Sequence, residues 1–220
     1  IVIYEDDNTY INKIIEKNTD TNIKWIEIQT TPKKTLGELR NISIQNATGE
    51  YIAQWDDDDW HSPLRLWHQY ITLIKSNKSG SILKKWLVYD ERQNILVQRE
   101  RTDLIGWEGS LLFKKSEIKD LYQSLARGED TGFVQKIENK IAPIWNPELY
   151  IYRVHFNNTW DYRKLKIDIV DPGKLYKDQS LIKNLENKHW AYHAVNLPVE
   201  LLKKKEYEMV KNNHLQHQEF

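Results

Sequence analysis

The chain has 220 residues, 32 Lys and Arg against 32 Asp and Glu, and is 40% hydrophobic and 29% charged; this is an ordinary globular composition, long enough for one large domain or one domain with an appendage. Zero net charge argues against broad nucleic-acid or anionic-membrane binding, which needs a basic surplus. With no cysteine there is no disulfide, thiol nucleophile or thiolate metal site, and no apolar run reaches the roughly 20 residues of a membrane span.

The first elements alternate. Ile1 to Tyr4 is a short apolar run that ends in Glu5, Asp6 and Asp7. Asn8 or Thr9 can cap a helix from about Tyr10 to Lys17, with Ile11, Ile14 and Ile15 on one face. Lys24 to Gln29 alternates and reads as a second strand, followed by a turn at Thr31-Pro32. A helix is expected from about Leu36 to Ala47, stopped by Thr48-Gly49. Gly49 to Trp55 reads as a third strand, and Pro63 stands near the start of a helix through Ile74. Residues 1–76 therefore read β-α-β-α-β-α, the pattern of a mostly parallel sheet with helices on its faces.

Beyond Gly80 the pattern changes. Ser81 to Tyr89 and Asn94 to Gln98 look like two strands around a turn, Gly106 to Gly109 like a loop, and Ser110 to Phe113 like a short strand. Ile118 to Leu125 is expected to be a helix, and Glu129-Asp130 to open another that runs to about Glu138. Glu148 to Val154 reads as a last strand. From about Lys164 the chain is rich in Lys and Asn, with a helix expected over 199–211.

Three acidic groups concentrate the chemistry: Asp6-Asp7, the run Asp56 to Asp59, and Glu129-Asp130. Four like charges at a strand end are costly unless a cation or a set of donors neutralises them. Carboxylates are hard ligands and suit Mg²⁺ or Mn²⁺ held together with a substrate's phosphates. The plain alternative is a solvated acidic turn, but ligands of open α/β sheets bind at the carboxyl ends of strands. Glu129-Asp130 stands at a helix N-terminus, which stabilises an ionised carboxylate able to accept a proton. His155, after the last strand, is a candidate metal ligand or phosphate contact. Among the nine Trp and twelve Tyr, Trp60 and Trp107 are placed to stack on a sugar, although such rings are more often core.

The stretches Gly37-Glu38-Leu39-Arg40-Asn41-Ile42-Ser43, Ala47-Thr48-Gly49-Glu50-Tyr51-Ile52 and Asp56-Asp57-Asp58-Asp59-Trp60 resemble the central block of inverting family 2 glycosyltransferases. Asp6-Asp7-Asn8-Thr9 looks like the nucleotide-binding strand end of that family, and Gly128-Glu129-Asp130 like its acceptor-side motif. The resemblance implies an α/β GT-A fold, Rossmann-like, with a mixed, mostly parallel sheet flanked by helices. It places a glycosyltransferase domain over 1–163, with a nucleotide-sugar half (1–76) and an acceptor half (77–163), followed by a mostly helical extension over 164–220. The family begins one strand earlier, so either that strand lies upstream of Ile1 or the site is incomplete.

Carried onto this sequence, the resemblance makes Asp56 and Asp58 the Asp-x-Asp pair on the donor ribose and metal. Asp58 is the leading metal ligand, joined by Asp56 and His155, with Mn²⁺ or Mg²⁺ as cofactor. Asp6 or Asp7 accepts a hydrogen bond from the base, and Asp57 belongs to the donor side. Arg40 faces the diphosphate or pairs with these acids. Trp107 and Glu129 belong to the acceptor side, and Asp130 is the general base. The implied substrates are a nucleotide-diphosphate sugar, a UDP-sugar above all, and a glycan, lipid-linked sugar or protein acceptor. A cytoplasmic location is expected, with a peripheral membrane contact through the C-terminal segment and no nucleic-acid partner. Two rivals use the same acids: a metal-dependent phosphohydrolase, and a degenerate transferase-like domain that binds without turnover.

Overall fold

The computed structural model describes residues 1–6, 9–91, 95–118 and 122–155. Asp7, the expected helix over 199–211 and the extension over 164–220 lie outside the described residues. The chain forms two compact units, one of 1–56, 66–86 and 100–147, the other of 57–65, 87–99 and 148 onward.

In the first unit β1 (Val2–Glu5), α1 (Thr9–Lys17), β2 (Trp25–Ile28), α2 (Leu36–Asn46) and β3 (Tyr51–Ala53) follow in the expected alternation. β1 and β2 pair in parallel, Val2 opposite Trp25. α2 starts at a capping box: Glu38 N donates to the Thr35 hydroxyl, and Thr35 N donates to the Glu38 carboxylate at 2.7 Å.

β4 (Trp60–His61) belongs to the second unit. α3 (Arg65–Lys75) and β5 (Gly80–Leu83) follow, then β6 (Lys85–Asp90), β7 (Ile95–Glu100), β8 (Trp107–Lys114), α4 (Glu129–Ile137), β9 (Ile141–Ile144) and β10 (Tyr150–Val154). The main sheet of the first unit has the order β3-β8-β5-β9, antiparallel at β3–β8 and β5–β8 and parallel at β5–β9. Its core gathers Ile44 from α2, Ile82 from β5, Leu111 and Phe113 from β8, and Phe133 and Val134 from α4. Among the described residues β1 and β3 each keep one edge without a strand partner. The second unit holds a sheet of order β4-β10-β6-β7, closed over Leu87, Tyr89, Leu96 and Ile151.

Several elements differ from the sequence reading. Ser81 to Tyr89 is two strands in two sheets, separated at Lys84, whose amide donates to Ile144 O and whose ammonium donates to Leu104 O. β8 begins at Trp107, so the expected loop over 106–109 is largely strand. β9 was not anticipated: it is four residues long and contains Pro143, which demotes a strand in any sequence reading.

The helix expected over 118–125 is not formed at the described positions 118 and 122–125. Asn41 explains this. Its side chain donates to Tyr122 O at 2.9 Å and accepts from Tyr122 N at 2.9 Å, taking both backbone groups that a helix would use. Gly37 lies under the same segment; its amide donates to Leu125 O at 3.1 Å. A Cβ at position 37 would overlap the Gln123 carbonyl oxygen. Gly37→Ala is therefore expected to cost about 1–3 kcal/mol through forced backbone displacement. Urea unfolding measures it, and an unchanged midpoint would show that this segment yields freely.

Candidate active site

Arg40 organises the site residues of the first unit. It projects from the middle of α2, and its side chain is only 15% exposed. Its Nε donates to Glu129 Oε1 at 2.8 Å and its Nη2 to Asp56 Oδ1 at 3.3 Å. With its amide oriented to suit both neighbours, Gln54 accepts from the two terminal nitrogens of Arg40 at 3.0 Å and donates to the Tyr122 hydroxyl at 3.1 Å. The guanidinium also lies 5.9 Å from the Tyr122 ring centroid. Burial works against its charge, but Asp56, Tyr122 and Glu129 outweigh that and hold its pKa above the ordinary value. Arg40, Gln54, Trp55 and Tyr122 share a cleft of about 290 Å³ with Ile1 and Ile44.

The Glu-Asp pair at the start of α4 divides. Gly128 precedes it with φ 74°, a left-handed conformation that glycine adopts without strain. Glu129 is 2% exposed and turned onto Arg40. Asp130 is half-buried, and its Oδ1 accepts from Thr131 N at 2.8 Å. Successive helical residues diverge by about 100°, so one carboxylate is committed to the interior while its neighbour reaches outward. The carboxylate of Glu129, expected on the acceptor side, is thus paired with Arg40 in the interior.

Asp6 at the end of β1 accepts from the hydroxyl of Thr30, and from Thr30 N at 3.2 Å. The Thr30 hydroxyl bond is the main reason its carboxyl sits below the ordinary range. Trp107 stacks on Trp86, with centroids 5.0 Å apart and planes at 22°.

In the second unit, Asp58 and His155 come together, His155 Nε2 lying 3.1 Å from Asp58 Oδ2. Asp59 is held by β10: the Tyr150 hydroxyl donates to one of its oxygens, and Arg153 N donates to the other at 2.8 Å. Arg153 Nη1 reaches Asp58 O at 3.1 Å, and its Nε donates to Glu91 at 3.0 Å.

The four consecutive aspartates thus have four different environments. Asp56 pairs with Arg40, Asp57 is exposed in the turn, Asp58 meets His155, and Asp59 anchors β10. Only two of the three expected metal ligands meet in these contacts, and among the described residues no group of three or more His, Asp or Glu is assembled that could hold a metal ion. An Asp oxygen and an imidazole nitrogen still form a donor set that suits Mn²⁺ when phosphate oxygens complete the shell.

Gln54, Tyr122 and Arg153 were missed in the sequence. Arg153 carried a usable signal, standing in the last strand two residues before His155. Gln54 and Tyr122 carried none, since only folding brings them to Arg40.

The GT-A architecture recurs in solved structures. S. aureus TarS 1–349 in complex with UDP-GlcNAc superposes with a TM-score of 0.53 at 16% identity, covering 71% of this chain and 50% of that one. S. aureus TarS 1–349 in complex with UDP gives 0.51 at 15% identity over 94% and 68%, and S. aureus TarS gives 0.53 at 17% over 92% and 40%. At such identities the likeness shows a shared fold, and the chain spans about half the length of the UDP-GlcNAc complex. No curated protein sequence matches it. The model of glycosyl transferase family 2 matches residues 1–135. With the α/β fold, the aspartate run and the Glu-Asp helix start, that match places the chain in glycosyl transferase family 2.

Proposed function

We propose that the protein transfers a sugar from a nucleotide-diphosphate sugar, a UDP-sugar by preference, to an acceptor hydroxyl with inversion, assisted by Mn²⁺ or Mg²⁺. The observation that carries this reading is the division of the Glu-Asp pair. Arg40 buries Glu129, which leaves Asp130 alone at the start of α4 as a carboxylate with access to a substrate proton. In this reading Asp130 takes the proton of the acceptor hydroxyl as its oxygen attacks the anomeric carbon, and the nucleoside diphosphate departs from the opposite face. Asp58 and His155 would hold the cation with the diphosphate, and Asp6 or Asp7 would accept from the base. The cation supplies positive charge where the leaving phosphate gains negative charge. The UDP and UDP-GlcNAc complexes of structures with the same fold favour a uridine donor.

The test is calorimetric binding of UDP, GDP, CDP and dTDP, each with and without Mn²⁺. Tight binding of UDP that depends on Mn²⁺ is expected. Asp58→Ala should weaken it by about tenfold or more, equivalent to about 1.4 kcal/mol, and should remove the Mn²⁺ dependence. Binding of UDP that ignores both Mn²⁺ and Asp58 would overturn the metal assignment, and release of phosphate from simple esters would favour a phosphohydrolase.

A further inference from the structure

Glu108 is a buried carboxylate that the mechanism above leaves unused. It is 4% exposed and lies next to Trp107 at the start of β8. Its Oε1 accepts from the Thr131 hydroxyl at 2.8 Å and pairs with Arg101 Nη2 at 3.1 Å. Arg101 is steadied in turn by Asp103, whose Oδ1 is 2.8 Å from its Nε. Thr131 donates its backbone N–H to Asp130 at 2.8 Å. One threonine thus joins Glu108 to Asp130, by its hydroxyl on one side and its amide on the other.

The course of β8 is what aims Glu108 at α4. Between the Ser81–Leu112 and Leu83–Trp107 pairs, β5 advances two residues and β8 five. Three extra residues on β8 reverse the alternation of its faces. Phe113 already faces α4, where its ring packs 5.4 Å from that of Phe133. In a regular strand Glu108, an odd number of residues away, would point to the opposite face. The irregularity turns it to the same side, and Thr131 is there to meet it. Ser110 fixes this turn, its hydroxyl donating to Trp107 O at 2.6 Å and accepting from Leu83 N at 2.9 Å.

We infer that Glu108 is a positioning residue for Asp130: it holds the Thr131 hydroxyl and thereby fixes the carboxylate that opens α4. The role in transfer rests on the reading of Asp130 as the base. Burial pushes the Glu108 carboxyl up, and the charge of Asp130 adds to this, while the backbone bond at Glu108, Arg101 and Thr131 oppose it.

The experiment compares Thr131→Val, Thr131→Ser, Glu108→Leu and Glu108→Gln. It reads two signals: the carboxyl carbon resonance of Asp130 in labelled protein, and UDP release from UDP-GlcNAc. Thr131→Val and Glu108→Leu are expected to shift the Asp130 resonance and to lower kcat on the order of 100-fold, the effect of a misplaced reacting group, with the donor KM unchanged. Thr131→Ser keeps the hydroxyl and Glu108→Gln keeps an acceptor oxygen, so both should hold the Asp130 resonance and most of kcat. The Thr131→Val and Glu108→Leu pair should be no worse than either alone, because both break one link. An Asp130 resonance that stays in place in Thr131→Val overturns the inference, whatever Glu108→Leu does to folding. Turnover that survives Asp130→Asn removes the base reading instead, and the resonance still decides the positioning.

Discussion

Asp130→Asn is expected to leave nucleotide binding intact while transfer falls roughly 10²- to 10⁴-fold, the usual contribution of a positioned general base. The substitution is structurally mild. The Asp130 oxygen accepts from Thr131 N, and an asparagine oxygen can accept the same bond. The lost property is the ability to take a proton. UDP binding by calorimetry and UDP release from UDP-GlcNAc separate the two effects, since a base that acts only in the transition state changes kcat and leaves ground-state binding alone. Retained transfer would show that another group receives the proton. A parallel loss of binding and transfer would instead place Asp130 on the donor. Glu129→Gln is the contrasting variant, because Glu129 is enclosed by Arg40 and its loss should first be felt in stability.

What was legible in the sequence is local. α2 was expected from about Leu36 and begins there, at the capping box of Thr35 and Glu38. The alternation of Trp25 to Ile28 gives β2, and the acids at 129 and 130 mark the start of α4. What was not legible depends on partners far away in the chain. Tyr122 lies in a segment with helical composition, yet Asn41, 81 positions earlier, takes its backbone groups. The strand-like run at 81–89 has no breaking residue, and Lys84 divides it only because Ile144 and Leu104 supply acceptors. The aspartate run shows the same limit in the site itself. Composition marks four equal charges, while folding gives them different partners: Arg40 for Asp56, His155 for Asp58 and β10 for Asp59. Residue type indicated that a cation or donors were needed there. It did not indicate that three of the four would meet the protein's own groups.

Arg40→Met should cost about 3–5 kcal/mol of stability, the range for removing one partner of a buried ion pair and leaving the other charge uncompensated. The size follows from Glu129, whose side chain is 1% exposed and whose carboxylate has Arg40 at 2.8 Å. Asp56 contributes less, being one-third exposed and 3.3 Å away, where solvent screens it. Arg40→Lys should recover only part of the loss, because an ammonium cannot reach Glu129, Gln54 and Asp56 together as the planar guanidinium does. The decisive variant is the pair Arg40→Met with Glu129→Met. Removing both charges leaves no buried ion unmatched, so the double variant should be more stable than Arg40→Met alone. Chemical unfolding followed at Trp fluorescence measures all of these. If Arg40 served the donor diphosphate and not these acids, Arg40→Met would weaken UDP binding while leaving the unfolding midpoint in place. The enclosure of its guanidinium by Glu129, Gln54 and Tyr122 leads to the opposite expectation: stability falls first, and any loss of donor binding follows from the displacement of Asp56 and of the α4 start that Arg40 holds.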